Sequence, residues 1–284
     1  LATLNRRLRA EGALPVLGDR EKQRKSLNAT FEAAWESLSE ELQATFAALA
    51  LFNQGPSFES AAAAAVLGVD EAEAGARLAR LAGRSLLGRA GEGHVLGGGE
   101  GRWALHTLLR DFAAGKGLPD EGARARLAAH YARALSAADD LYLQGGEGVL
   151  RGLALFDLEW PHIRAGQAWA AARSLEDDEA AWLCSSYPGA GIYCLDLRLD
   201  AREQIRWLAV AAGAARRLGD RQAEGNHLGN LGVAYAHLGD ARRAVEYCEQ
   251  ALAIARDICA ASAGGSREWT AGRRGEGADL GNLG

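Results

Sequence analysis

Residues 228–258 read LGNLGVAYAHLGDARRAVEYCEQALAIARDI, and this stretch decides the fold. Leu228, Leu231, Gly232 and Tyr235 recur at helical spacing. Gly239-Asp240 makes a turn: glycine stops one helix and aspartate caps the next. Ala244, Ala251 and Ile254 then line the second helix. Gly232 and Ala251 are small and let the two helices approach closely. The unit is a helix-turn-helix pair.

The pair is repeated. Asp200-Ala201-Arg202 recurs as Asp240-Ala241-Arg242, forty residues on. In the same register Trp207 matches Tyr247, Ala211 matches Ala251, and Ala215 matches Ala255. Leu218-Gly219-Asp220 and Leu238-Gly239-Asp240 close consecutive helices. LGNLG at 228–232 returns at 280–284, with an offset of 52 rather than forty. The excess falls on 259–272, which has no helical periodicity and reads as an irregular insertion. A truncated repeat, 273–284, resumes after it. One such pair cannot bury its apolar face alone; stacked pairs share a core and present a concave surface.

Working back toward the start, the pattern stays helical until residue 83. Ser26 is a candidate cap for a helix with Leu27, Phe31, Ala34, Trp35 and Leu38 on one stripe. Ser39 is a cap for the next, with Leu42, Phe46, Leu49 and Ala50 inward. Asn53-Gln54-Gly55-Pro56 breaks it. A short alanine-rich helix spans 58–67 and stops at Gly68; Asp70 caps another, to about Gly83, with Ala74, Leu78 and Leu81 inward. Extended runs at 85–89 and 102–105 flank a glycine-rich tip, AGEGHVLGGGEG, and predict a hairpin. A helix over 106–115 follows, then helices over 121–142 and 150–172, the last with Pro161 demanding a kink or restart.

Composition sets the outer bounds. The 284 residues carry a net charge of −5 and are 48% hydrophobic, which supports packed cores and argues against an extreme-charge nucleic-acid binder. Residues 1–25 hold seven Arg/Lys against three Asp/Glu, and read as a solvated linker. Cys184, Cys194, Cys248 and Cys259 fit no ligand spacing and read as free thiols in a reducing, cytoplasmic compartment. No apolar run approaches the length of a membrane span. There is no methionine, the chain starts at Leu1, and it stops inside a repeating pattern; these features read as a piece of a longer protein.

Catalytic signals are missing. No GxxxxGK[ST], HExxH or GxSxG occurs, and the six histidines are dispersed. Catalytic residues, metal ligands and a cofactor of this chain's own are therefore not expected. His227 and His237 read as solvated, and Trp160, Trp169, Trp182 and Trp207 as packing residues.

The spacing L-x2-L-G-x2-Y, with Ala244 and Ala251 following Gly232, resembles a tetratricopeptide repeat. Departures are Leu228 in place of tryptophan, Cys248 in place of an aromatic residue, and no closing proline. Helix, helix, helix, hairpin, helix over 26–117 looks like a winged-helix domain. Together, SLNATFEAAWESLSEELQATFAALALFNQGPSFESAAAAAVLG, RWALHTLLRDFAA and LFDLEWPHIRAGQAWA resemble the region after the nucleotide-binding core of STAND-class signalling ATPases, the NB-ARC family. Over the first 172 residues that resemblance implies the end of a helical lid domain with a linker (1–25), a winged-helix domain (26–117) and a helical connector (118–172); with the repeats (173–258), the insertion (259–272) and the truncated repeat (273–284), the chain reads as mainly α in six parts.

It also implies a role for one histidine. The family has a Met-His-Asp motif whose His contacts the β-phosphate of ADP. Leu105-His106-Thr107 occupies that place, with Leu and Thr where the family has Met and Asp. The same residue also reads as a cap at the hairpin-to-helix junction. The function implied is a regulatory and interaction fragment of a bacterial signalling ATPase. ADP or ATP would bind the full-length parent, and the partners are the upstream nucleotide-binding domain and a protein or peptide in the repeat groove. The alternative is a transcriptional regulator with 70–83 as a DNA-recognition helix. That segment carries Arg77 and Arg80 but also Asp70, Glu71 and Glu73, a mixed face for a polyanion.

Overall fold

The computed structural model describes residues 28–90, 101–117, 120 and 122–280, with side chains through residue 261. The expected lid-end helix and basic linker over 1–25, the Ser26 cap and most of the glycine-rich tip lie outside the described residues. The chain is mainly helical with one two-stranded sheet. It divides into two compact units, Leu1–Ala134 with Leu153–Gly166, and Leu135–Gly152 with Gln167–Gly284.

The first unit starts with α1 (28–36) and α2 (Glu40–Ala48), the latter followed by a 3-10 turn. Ser39 stands at the N-cap of α2, but its side chain makes no capping hydrogen bond. Leu42, Phe46 and Leu49 are buried as their spacing predicts. Phe31, Trp35, Phe46 and Phe112 meet with ring centroids 5.7–6.4 Å apart, joining α1 and α2 to α5 (Thr107–Ala114). Such tilted aromatic pairs add to the area that they bury.

The alanine-rich helix α3 is Ser60–Leu67, shorter at its start than the sequence suggests. The reason is tertiary: Phe58 exchanges two backbone hydrogen bonds with Trp103, which holds it extended. Gly68 takes φ 68° and ends α3, and Asp70 Oδ1 accepts from Glu73 N–H to start α4 (Glu71–Gly83). Ala74, Leu78 and Leu81 face inward. Strands β1 (Gly88–Arg89) and β2 (Trp103–Ala104) pair antiparallel, Gly88 opposite Ala104 and Arg89 opposite Trp103.

Two long helices follow, α6 (Ala123–Leu143) and α7 (Glu147–Arg173), and each contributes residues to both units. Helix α7 runs through Pro161 without a break, so of the kink or restart that the proline predicts there is no restart.

The second unit continues with α8 (Asp178–Ala190), α9 (Ile192–Arg198), α10 (Ala201–Leu218), α11 (Arg221–His237) and α12 (Ala241–Leu280). Helix α8 packs on α10, α10 on α11, and α11 on α12. The turns between α10, α11 and α12 are built alike. Gly219 (φ 73°) and Gly239 (φ 84°) hold the left-handed conformation that glycine adopts without steric cost. The amides of Gly219 and Asp220 bond back to Arg216 and Ala215 carbonyls, and those of Gly239 and Asp240 to Ala236 and Tyr235. This is a Schellman stop. The same aspartates then cap the next helix, Asp220 Oδ1 accepting from Ala223 N–H and Asp240 Oδ1 from Arg243 N–H. Asp200 caps α10 in the same way.

Leu208, Ala212, Leu228, Leu231, Ala234 and Ile254 form the shared core of α10, α11 and α12. Tyr235 and Tyr247 stack at its edge, 5.3 Å between centroids. Helix α12 does not stop at residue 258: it runs across 259–272, where the sequence pattern suggests an irregular insertion, and on to Leu280. The stretch contains no proline, and its Gly264-Gly265 pair costs only about 2 kcal/mol of helix propensity. Residues 281–284 of the truncated repeat lie outside the described residues.

At Gly232, α11 and α12 approach closely. A β-carbon there would stand 2.5 Å from Cys248 Sγ and 3.1 Å from the Ala244 carbonyl oxygen. Alanine would gain about 1 kcal/mol of helix propensity, but overpacking of this kind costs about 1–3 kcal/mol. We expect Gly232→Ala to lower stability in urea unfolding, with partial recovery on adding Cys248→Ala. An unchanged midpoint would contradict the close approach.

Candidate functional site

A groove of about 630 Å³ opens on the second unit between α8 and α11. Trp182, Ser185 and Ser186 come from α8; Asn226, His227 and Asn230 come from α11. Gly225 and Gly229 keep the α11 wall low between the amides. The spacing of Asn226 and Asn230 puts both on one face. A second groove, about 250 Å³, shares Ile192 and Asn230 with the first and adds Tyr193 and Val233. The lining therefore mixes neutral hydrogen-bonding groups with apolar patches, and each groove has one carboxylate, Asp220 in the first and Asp196 in the second.

Two expectations are overturned here. Trp182 is not a packing residue: it is 61% exposed on the groove wall. One turn of α8 sets Ala181 and Leu183 into the core and leaves residue 182 between them facing out. His227 is not solvated but buried, with Nε2 3.0 Å from Ser185 Oγ. Burial holds its imidazole below the ordinary histidine range, against the pull of Ser185 and Asp220. His237 is exposed, as its position suggests. Trp207 is buried against Tyr187, as expected.

The repeat-signature residues are brought together. Leu228, Leu231, Gly232 and Ala244 are buried, Tyr235 and Ala251 are half-buried, and Gly239 makes the turn. Beside them Glu224 is buried between two guanidinium groups. Its carboxylate accepts from Arg216 Nε on α10 and Arg221 Nη1 on α11, each at 2.7 Å. Burial works to raise this carboxyl, and the two arginines more than offset it, so it sits below its ordinary value.

His106 lies at the N-cap of α5, exposed, and its Nδ1 accepts from Leu108 N–H at 3.3 Å. That is the capping geometry at the hairpin-to-helix junction. Arg110, one turn on, donates to the Asn53 and Leu105 carbonyls and fixes the start of the helix.

The first unit also holds a buried polar cluster that the dispersed sequence positions conceal. Arg102, beside β2, donates to Glu159 of α7 and to Ser57 Oγ and its carbonyl. His162, one turn from Glu159, donates from Nε2 to the same Ser57 carbonyl at 3.0 Å. Tyr131 stacks on the His162 ring at 4.8 Å. His130 Nε2 stands 3.4 Å from Glu59. Burial raises the Glu159 carboxyl above its ordinary value despite Arg102, and its Oε2 has no hydrogen-bond partner. Burial also lowers His162 to about 4. His130 facing Glu59 holds that carboxyl low. The cluster ties the 53–58 loop and the strand to α7; it opens to no groove described above. Among the described residues no group of histidine, cysteine and acid side chains could hold a metal ion. The four cysteines are free, Cys184 and Cys194 buried.

Removing Arg102 would leave Glu159 buried without its partner, a loss of about 3–5 kcal/mol for a pair of this kind. We expect Arg102→Ala to be destabilising at pH 7 and less so as the pH falls and Glu159 takes up a proton; urea unfolding at several pH values reads this. His162 has the opposite sign. Its folded value lies below the unfolded one, so its contribution is present above the ordinary histidine range and lost as pH falls from about 6.5 towards about 4. His162→Gln is expected to flatten that acid limb.

No family model matches the chain, and no curated protein and no solved structure matches it.

Proposed function

We propose that the chain is a non-catalytic regulatory and protein-interaction part of a STAND-type signalling ATPase. In this reading the first unit is a winged-helix coupler, the second a tetratricopeptide-like array, and the nucleotide switch belongs to a domain outside this sequence. The observation that carries the interaction role is the α8/α11 groove, where an exposed indole sits beside neutral amides and hydroxyls. Asn226 and Asn230 offer both donors and acceptors, which suits an extended peptide backbone, and Trp182 offers an apolar face for one of its side chains. The order of elements in the first unit, with a two-stranded sheet before α5, supports the coupler reading.

His106 keeps a place in this proposal. Its Nδ1 is occupied as an acceptor, so the neutral imidazole carries its proton on Nε2. A phosphate of ADP in the parent would need that donor. Thr107, where the family has an acid, leaves the motif without its carboxylate.

The DNA-binding alternative fares worse. Arg77 pairs with Glu41 and Glu73, Arg80 pairs with Glu41, and Arg84 donates to the Ser37 carbonyl. These contacts take up guanidinium charges that a phosphate backbone would require. No described helix is long and apolar enough to cross a membrane.

Panning a phage-displayed library of random dodecapeptides against the chain tests the groove. Enriched peptides are expected to bind at least tenfold more weakly to Trp182→Ala, whose thermal unfolding stays unchanged because the side chain is exposed. Peptides that bind the variant equally well, or no enrichment at all, would overturn the assignment.

A further inference from the structure

Helix α12 presents a face whose counterpart on α10 is covered. By the forty-residue register, Cys248 and Leu252 correspond to Leu208 and Ala212. Leu208 and Ala212 are buried in the core with Leu228 and Leu231 of α11. Leu252 is 49% exposed and, with Ala255, borders a groove of about 290 Å³ whose other wall is Gln222, Gly225 and Asn226 of α11; Cys248 is exposed too, with its Sγ towards Gly232. Whatever covers this face should look like the start of α11.

The chain contains such a sequence. The start of α11, residues 221–232, reads RQAEGNHLGNLG, and residues 273–284 read RRGEGADLGNLG, identical at eight of twelve positions. The match includes a charge lock. Between α10 and α11, Glu224 is held by Arg216 and Arg221. The corresponding residues are Glu276, Arg256 and Arg273, and all three are conserved in the copy. Both the apolar and the ionic halves of the α10–α11 contact are thus written a second time.

Its own helix cannot use it. Because α12 is continuous from Ala241 to Leu280, residue 276 lies about 30 Å further along the same axis than residue 256. A straight helix does not cover its own flank. A second, antiparallel copy of α12 does. Arg256 and Glu276 are equally far from Ser266, so placing Arg256 opposite Glu276 of the second copy also places Glu276 opposite Arg256 of the second copy. The contact is self-complementary and closes as a two-fold pair.

We propose that the exposed face of α12 is a self-association surface, covered by residues 273–284 of a second copy of the chain. The two-fold axis takes the place of the Gly219-Asp220 turn that joins α10 to α11. The two grooves share Gly225 and Asn226, but Trp182 borders only the α8/α11 groove and Leu252 only this one, so variants at those two residues let either assignment fail without the other.

Sedimentation velocity and a cysteine cross-link test it on the full chain. At tens of micromolar we expect the mass of a dimer, reduced to that of a monomer by Glu276→Lys and left unchanged by Gln250→Lys, an exposed position on the other side of α12 from Leu252 and Arg256. Leu252→Cys with Leu280→Cys, in a Cys248→Ser, Cys259→Ser background, is expected to give a disulfide-linked product of twice the chain mass. A monomeric mass overturns the proposal. So does a cross-linked product of single-chain mass, which would mean that the segment folds back on its own helix.

Discussion

The antiparallel stacking of α10, α11 and α12 depends on one backbone conformation, the left-handed state held by Gly219 and Gly239. Only glycine takes that state freely, and it lets the chain end a helix and reverse within two residues. The aspartate that follows each glycine starts the next helix at once. With so short a turn, neighbouring helices have no choice but to pack side by side. Their registers are then fixed, and the apolar stripes of Leu208, Leu228 and Ile254 meet. Gly232 completes the arrangement by removing the side chain that would hold α11 and α12 apart.

Each unit also buries a glutamate, and the two are treated differently. Glu224 has an arginine for each carboxylate oxygen, and its charged form is favoured. Glu159 has Arg102 on one oxygen and nothing on the other, and burial wins. The first is a well-matched lock between neighbouring helices. The second holds a loop, a strand and a long helix to one point, at an electrostatic cost that the surrounding packing must offset. Ser57 is the hub of that point, since its carbonyl receives both Arg102 and His162.

The groove of the second unit follows from the same stacking. Helices α8 and α11 lie on either side of the groove, and residues that the core does not need are free to be polar or exposed there. Asn226, Asn230 and Trp182 occupy those positions. Neutral amides and hydroxyls beside one large aromatic face suit backbone and shape recognition, with Asp220 as a charged group at the groove.

The sequence by itself determined the local features: the helix stops at glycine, the aspartate caps, the forty-residue period, the position of the two strands, and the buried repeat-signature leucines. These rest on neighbours within one or two turns, and a linear pattern contains them. Tertiary structure decided the rest. Phe58 is extended because Trp103, 45 residues away, pairs with it. His162 is neutral because the fold buries it, against the pull of the Ser57 carbonyl 105 residues away that its Nε2 reaches. Helical spacing alone put Trp182 and Trp207 in the same class, yet one is exposed and the other buried, because only one meets a neighbouring helix. Burial and polar partnership are properties of surfaces in contact, and those surfaces exist only once the helices have packed.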